Sequence, residues 1–227
     1  MKSITRIFKY SLFLCCIIAI GCGHTNKLAQ YNLRSQRVAL RAHSATVGGA
    51  TSDIVSGSRN LLGDITASLG SGAISNNTAE KLNRAANADS LAMRIARGFN
   101  EAAISYLSVI PTKRESESDY IAETLLQSYN LSSDSTGINA HIQALSRIIQ
   151  RSTGTIVWEY GTSRNIALAS TSSTNANGRA IMSAVNAATL ASMSESEIAE
   201  VFNGAALEMG HDIGETLRED VADLAKH

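Results

Sequence analysis

The chain has 227 residues and sets 20 Lys and Arg against 20 Asp and Glu, a formal net charge of zero. Such a balance lacks the basic footprint of a nucleic-acid binder and excludes that class. Only 5% of the residues are aromatic and one is Pro, so one domain with a core of mostly small side chains is expected, and no internal repeat is found.

Lys2, Arg6 and Lys9 precede an apolar run from Tyr10 to Ile20, YSLFLCCIIAI. About ten residues is half of what a bilayer core needs, and it matches the apolar region of a signal peptide. An uncleaved membrane helix with incidental cysteines is the alternative. The run ends in Ala19-Ile20-Gly21-Cys22, which resembles a bacterial lipobox, with Ala19 where Leu is more usual. The resemblance implies cleavage between Gly21 and Cys22 and diacylation of Cys22. With Gly23 following instead of Asp, it also implies sorting to the outer membrane, on the periplasmic face. Residues 1–21 are therefore read as signal peptide and 22–34 as lipid anchor and tether. Cys15, Cys16 and Cys22 are the three cysteines, so cleavage leaves one and no internal disulfide. Buried acyl chain contributes about 0.8 kcal/mol per CH₂ and firm anchoring takes more than one chain, which makes the lipid the anchor. The part from Cys22 onward carries 17 basic and 20 acidic residues.

An α/β domain is expected over 35–169. Arg37-Val38-Ala39-Leu40-Arg41-Ala42 alternates as a half-buried first strand does. Residues 44–77 are rich in Gly, Ser, Thr and Asn and read as a flexible insert. Within it Leu61, Ile65 and Leu69 also fit a short amphipathic helix, against the core or a membrane surface. A connection longer than 30 residues is commonly functional or disordered, and both readings stay open. Asn77 with Glu80 has the form of an N-terminal cap. Downstream of Asp89, the residues Leu91, Ile95, Phe99, Ala102 and Tyr106 make a core-facing helical stripe that ends by Pro111.

Ser118 to Leu126 reads as a strand, although its opening also fits the cap of a short helix. Ile138, Ala140, Ile142 and Ala144 alternate with Asn139, His141 and Gln143 in a second strand, continuing through Ile149. A turn at Arg151–Gly154 returns Thr155–Tyr160 as its antiparallel partner, and Ile166–Ala169 forms a further short strand. A polar gap follows, and 170–227 is assigned to C-terminal helices. Ser194-Glu195-Ser196-Glu197 is a capping box. The stripe Ile198, Phe202, Ala205, Met209, Ile213, Leu217, Val221, Leu224 is expected to dock on the sheet, with a partner-binding helix as the alternative. Gly204, Gly210 and Gly214 weaken this helix.

Taken together, Arg37-Val38-Ala39-Leu40, the helix from Asp89 to Leu107, Ser118-Asp119-Tyr120-Ile121 and Thr153-Gly154-Thr155-Ile156-Val157-Trp158 resemble periplasmic lipoprotein α/β domains. In that group the strand start reads A-D-Y-[VIL] and the hairpin D-x-x-T-G-x-[IV]-[IVL]-W, and Gln150 stands here where the group has its acidic residue. The resemblance covers residues 35–165. It extends to curli-secretion channel lipoproteins, activators of penicillin-binding proteins and auxiliary lipoproteins of ABC transporters. It implies an α/β (α+β) fold: a small, mostly antiparallel sheet with a long hairpin, packed against amphipathic helices. Gly154 and Trp158 read as folding features, a positive-φ turn position and core area.

No nucleophile elbow, P-loop, His-Glu-x-x-His or complete dinucleotide fingerprint is present. His24, His43, His141, His211 and His227 are scattered, so no metal or cofactor is expected, and His141 reads as a solvated residue. Glu115, Glu117 and Asp119 read as a charged loop rather than an acid–base pair. The expected function is therefore a non-catalytic, lipid-anchored accessory or assembly protein that binds another envelope protein. Two alternatives stand: a subunit of a homo-oligomeric outer-membrane secretion pore, for which 44–77 lacks the alternation of transmembrane strands, and a lipid or small-ligand binding module. The membrane, through the acyl anchor, and a protein are the expected partners.

Overall fold

The structure, a computed structural model, describes residues 24–45, 49–52, 80–170, 176–224 and 226, with 49–52, 170 and 176–180 described by backbone alone. Gly21, Cys22 and the helix considered at Leu61–Leu69 lie outside the described residues.

Three long strands carry the architecture: β5 (Tyr120–Ser133), β6 (Gly137–Gln150) and β7 (Thr155–Ser170). They form an antiparallel meander. Shorter strands complete a seven-stranded sheet: β1 (Thr25–Asn26), β2 (Arg37–Ser44), β3 (Gly49–Ser52) and β4 (Ile110–Thr112). The order is β1-β7-β6-β5-β2-β4, with β3 also on β5. β2 and β3 run parallel to β5, and β4 parallel to β2. Two helices follow the sequence stripes, α1 (Ala88–Leu107) and α3 (Glu195–Leu224), and α2 (Ala176–Ser192) lies between β7 and α3. The fold is α/β, as expected, with most of its ladder antiparallel.

The period-2 pattern of β6 sends Ile138, Ala140, Ile142 and Ala144 into the core, all at most 1% exposed. On α1 the stripe Leu91, Ile95, Phe99 and Ala102 is buried against them, whereas its last member, Tyr106, is exposed. Trp158 of β7 stacks on Phe99, ring centroids 5.3 Å apart and 16° from parallel. Its indole Nε1–H donates to Asp220 Oδ2 at 2.6 Å. The apolar residues of α3 from Ile198 to Leu217 join the same core, so the docking expectation holds. The capping box closes as its sequence dictates: the Ser194 N–H donates to Glu197 Oε2 at 2.7 Å and the Glu197 N–H to Ser194 Oγ at 3.2 Å.

Several boundaries differ from the sequence reading. Residues 80–85 are helical, but α1 has its own cap, Asn87, whose side chain accepts from the Ser90 N–H at 2.8 Å. Pro111 does not end α1. The helix stops at Leu107, where Ser108 turns left-handed at φ 53°, and Pro111 sits in edge strand β4, where a missing donor costs no ladder bond. Part of the 44–77 insert is strand: Gly49–Ser52 pairs with Asn130–Ser133, because β5 runs on past Leu126. β7 is one strand through Gly161–Asn165, where two had been expected, since β6 supplies a register partner at each of those positions.

The presumed tether is folded as well. Asn26 pairs with Trp158, the Lys27 N–H donates to Val157 O at 2.8 Å, and Leu28 and Leu33 are buried.

Gly98 of α1 and Gly210 of α3 set the spacing of their helices. A Cβ on Gly98 would lie 2.4 Å from the Gly210 backbone, and one on Gly210 would lie 2.5 Å from Ile95 O. Gly210 therefore permits the crossing that the sequence reading treated as a weak point. Gly204 meets nothing within 4 Å.

Candidate functional site

Alternation in the three long strands puts one residue of each pair under the helices and the other on the opposite face. Among the described residues no helix or strand covers that opposite face. Register then decides what stands side by side on it. Arg41 of β2 is opposite Glu123 of β5, Glu123 is opposite Arg147 of β6, and Arg147 is opposite Glu159 of β7. Four strands thus carry a row of alternating charge straight across the sheet. A second row, Ala39, Ile121, Ile149 and Ile156, is apolar. Beyond Leu145 the face turns neutral and polar, with Gln143 opposite Ser163 and His141 opposite Asn165.

Glu123 is the centre of the charged row and is 3% exposed despite lying on the open face. Arg147 Nε donates to its Oε2 at 2.5 Å and Arg41 Nη1 to its Oε1 at 3.0 Å. Arg41 also binds Glu115, which comes from the turn Glu115–Glu117. His43 Nδ1 is 3.9 Å from Glu123 Oε1. Burial pushes the Glu123 carboxyl up, but the bonds from Arg147 and Arg41, with their charges, outweigh it and hold it below the usual carboxylate range. A carboxylate bonded to two guanidiniums is favoured in its charged form. The charged loop expected at Glu115, Glu117 and Asp119 is used internally, since Glu117 pairs with Arg114 and the Asp119 carboxylate accepts from the Arg37 N–H.

His141 is half-buried on the open face, where a freely solvated residue was expected, and its Nδ1 hydrogen-bonds Asn165 Oδ1 at 2.7 Å. Among the described residues no three His, Cys, Asp or Glu converge as a metal site. No described helix is long and apolar enough to cross a membrane, a statement that leaves strands aside.

A groove of about 830 Å³ runs over the α1–α3 crossing, floored by Gly98, Ala102 and Gly214. Its charged rim is already paired: Arg164 with Asp212 at 3.0 Å and Glu208 at 3.2 Å, Arg97 with Glu101 at 2.9 Å. Small residues at the crossing leave this crease between the helices.

No cross-strand row was legible beforehand, because the partners are up to 82 positions apart in sequence, from Arg41 to Glu123. The alternating polar residues of β6 were the one available signal.

No family model and no curated protein sequence matches the chain. Among solved structures it is similar to a PelC dodecamer from Paraburkholderia phytofirmans, at 10% identity and a TM-score of 0.33 over 78% of this chain and 94% of that one. A protein from Xanthomonas campestris gives 11% and 0.28 over 86% and 96%. A lipoprotein from Neisseria meningitidis gives 14% and 0.23 over 66% and 94%. Superpositions this loose decide neither function nor assembly.

Proposed function

We propose that this chain is a lipid-anchored envelope protein, acylated at Cys22 on the periplasmic face of the outer membrane, that binds another envelope protein and performs no catalysis. The observation that carries the reading is the uncovered face of the long-stranded sheet. Antiparallel sheets commonly leave one face to water, but this one sets an apolar row beside a charged row in which Arg41, Glu123 and Arg147 are already bonded to one another. Docking a partner there buries the half-buried Ile149 and Ile156 further and leaves the bonds of Arg41 and Arg147 to Glu123 intact. Support for a non-catalytic role is chemical: Glu123, the most buried carboxylate among the described residues, is bonded to two arginines that favour its charged form.

Two experiments test the two halves. A photo-crosslinking residue at Gln143, on the open face, is expected to capture a discrete second protein in cells. The same residue at Met93, which is 59% exposed on the helix layer, is expected to capture none. Equal capture at both positions, or none at Gln143, overturns the docking face. For the anchor, Cys22→Ser is expected to yield unacylated or unprocessed protein that leaves the membrane fraction; an unchanged mass and fractionation overturn it.

A further inference from the structure

We infer that the corner of the domain where His24 and β1 meet Trp158, Tyr160 and Asp220 is seated on the lipid headgroup layer that holds the acyl chains of Cys22. This rests on the acylation proposed above, and it concerns where the folded body stands once anchored.

One residue, Gly23, separates Cys22 from His24. Two residues of fully extended chain reach about 7 Å at most. His24 is held to the body: its Nε2 lies 2.8 Å from Asp220 Oδ2, and its ring meets those of Trp158 and Tyr160 edge-on at 6.2 and 5.7 Å. Asp220 is fixed in turn by the Trp158 indole at 2.6 Å. The next residues enter the sheet, Thr25 opposite Glu159 and Asn26 opposite Trp158. Buried Leu28 then pins the chain to the core. Lengthening the tether from this end therefore means stripping a hydrogen-bonded strand and the His24–Asp220 contact from the body. Covalent reach alone then limits the acylated residue to about 7 Å of extended chain from His24, and the headgroups stand at that end of the body. The corner suits that layer chemically. Tyr160 and His24 carry amphipathic rings of the kind enriched at membrane interfaces, and Lys27 is an exposed cation. The neighbouring Glu219 is an exposed anion. Charges of both signs fit zwitterionic headgroups better than a purely anionic surface.

The test uses full-length acylated protein in vesicles of equal parts phosphatidylethanolamine and phosphatidylglycerol. A fluorophore is placed on Glu219→Cys, the only free thiol once residues 1–21 are removed and Cys22 is acylated. Quenching by a headgroup-attached quencher is expected to be several-fold stronger than in a variant carrying a long Gly/Ser spacer between Gly23 and His24. Equal quenching in the two, with acylated mass and vesicle flotation intact, overturns the seated corner alone. Protein that lacks the acyl mass and fails to float overturns the anchor, and the seated corner with it.

Discussion

Glu123 lies on the face of the sheet that no described helix covers, yet it is 3% exposed, because the side chains of Arg41 and Arg147 converge on it. Replacing it by Gln keeps the shape and removes the charge that holds both guanidiniums. Hydrogen bonds to charged groups contribute about 1.5–3 kcal/mol, so Glu123→Gln is expected to lose a few kcal/mol at pH 7, less what the partly exposed arginines recover from water. The sign of the pH dependence follows from the depressed carboxyl. A folded-state value below the ordinary 4.5 means that the stabilisation is present above that value and is lost as pH falls through the lower folded one. Urea unfolding should therefore show a gap between the parent and Glu123→Gln that is wide at pH 7 and narrows below pH 4.5. A gap that stays constant into acid contradicts the assignment.

Among the elements, α1 and α3 make the contact most sensitive to a single methyl group. Gly210→Ala places a Cβ 2.5 Å from Ile95 O, a backbone atom that cannot swing aside. The helices must separate, at a cost of about 1–3 kcal/mol for overpacking. Gly204→Ala meets nothing within 4 Å and gains helix propensity, up to about 1 kcal/mol. Thermal unfolding should shift in opposite directions for the two variants; a shift of the same sign in both removes the close-crossing explanation. The sequence marked both glycines as equal weaknesses because propensity is a property of one helix. Which glycine faces Gly98 is a property of two. The same limit applied at Asn87, where the cap was masked by the equally good pattern at Asn77 and Glu80.

The whole molecule behaves as one packing unit wherever its core is described. Trp158 of the sheet, Phe99 of α1 and Phe202 of α3 lie in one buried cluster. Unfolding followed by Trp158 fluorescence and by far-ultraviolet circular dichroism should give coincident transitions, the mark of two-state behaviour. An earlier melting of helical signal, with the Trp158 environment unchanged, separates α3 from the sheet and contradicts the shared core.

By itself, the sequence determined what depends on local spacing. The stripes of α1 and α3, the alternation of β6, the Ser194–Glu197 capping box and the turn ending at Gly154, at φ 71°, all follow from periodicity or from one residue's conformational freedom. Tertiary structure decided everything set by pairing between distant segments. It made β3 a strand by offering it the far half of β5, and it carried β7 through a polar stretch on the ladder of β6. It also folded His24–Leu33 onto the body and aligned Arg41, Glu123, Arg147 and Glu159 across four strands. The physical reason is that a backbone edge, a register and a counter-charge are supplied by partners far along the chain, and no local pattern encodes which partner will arrive.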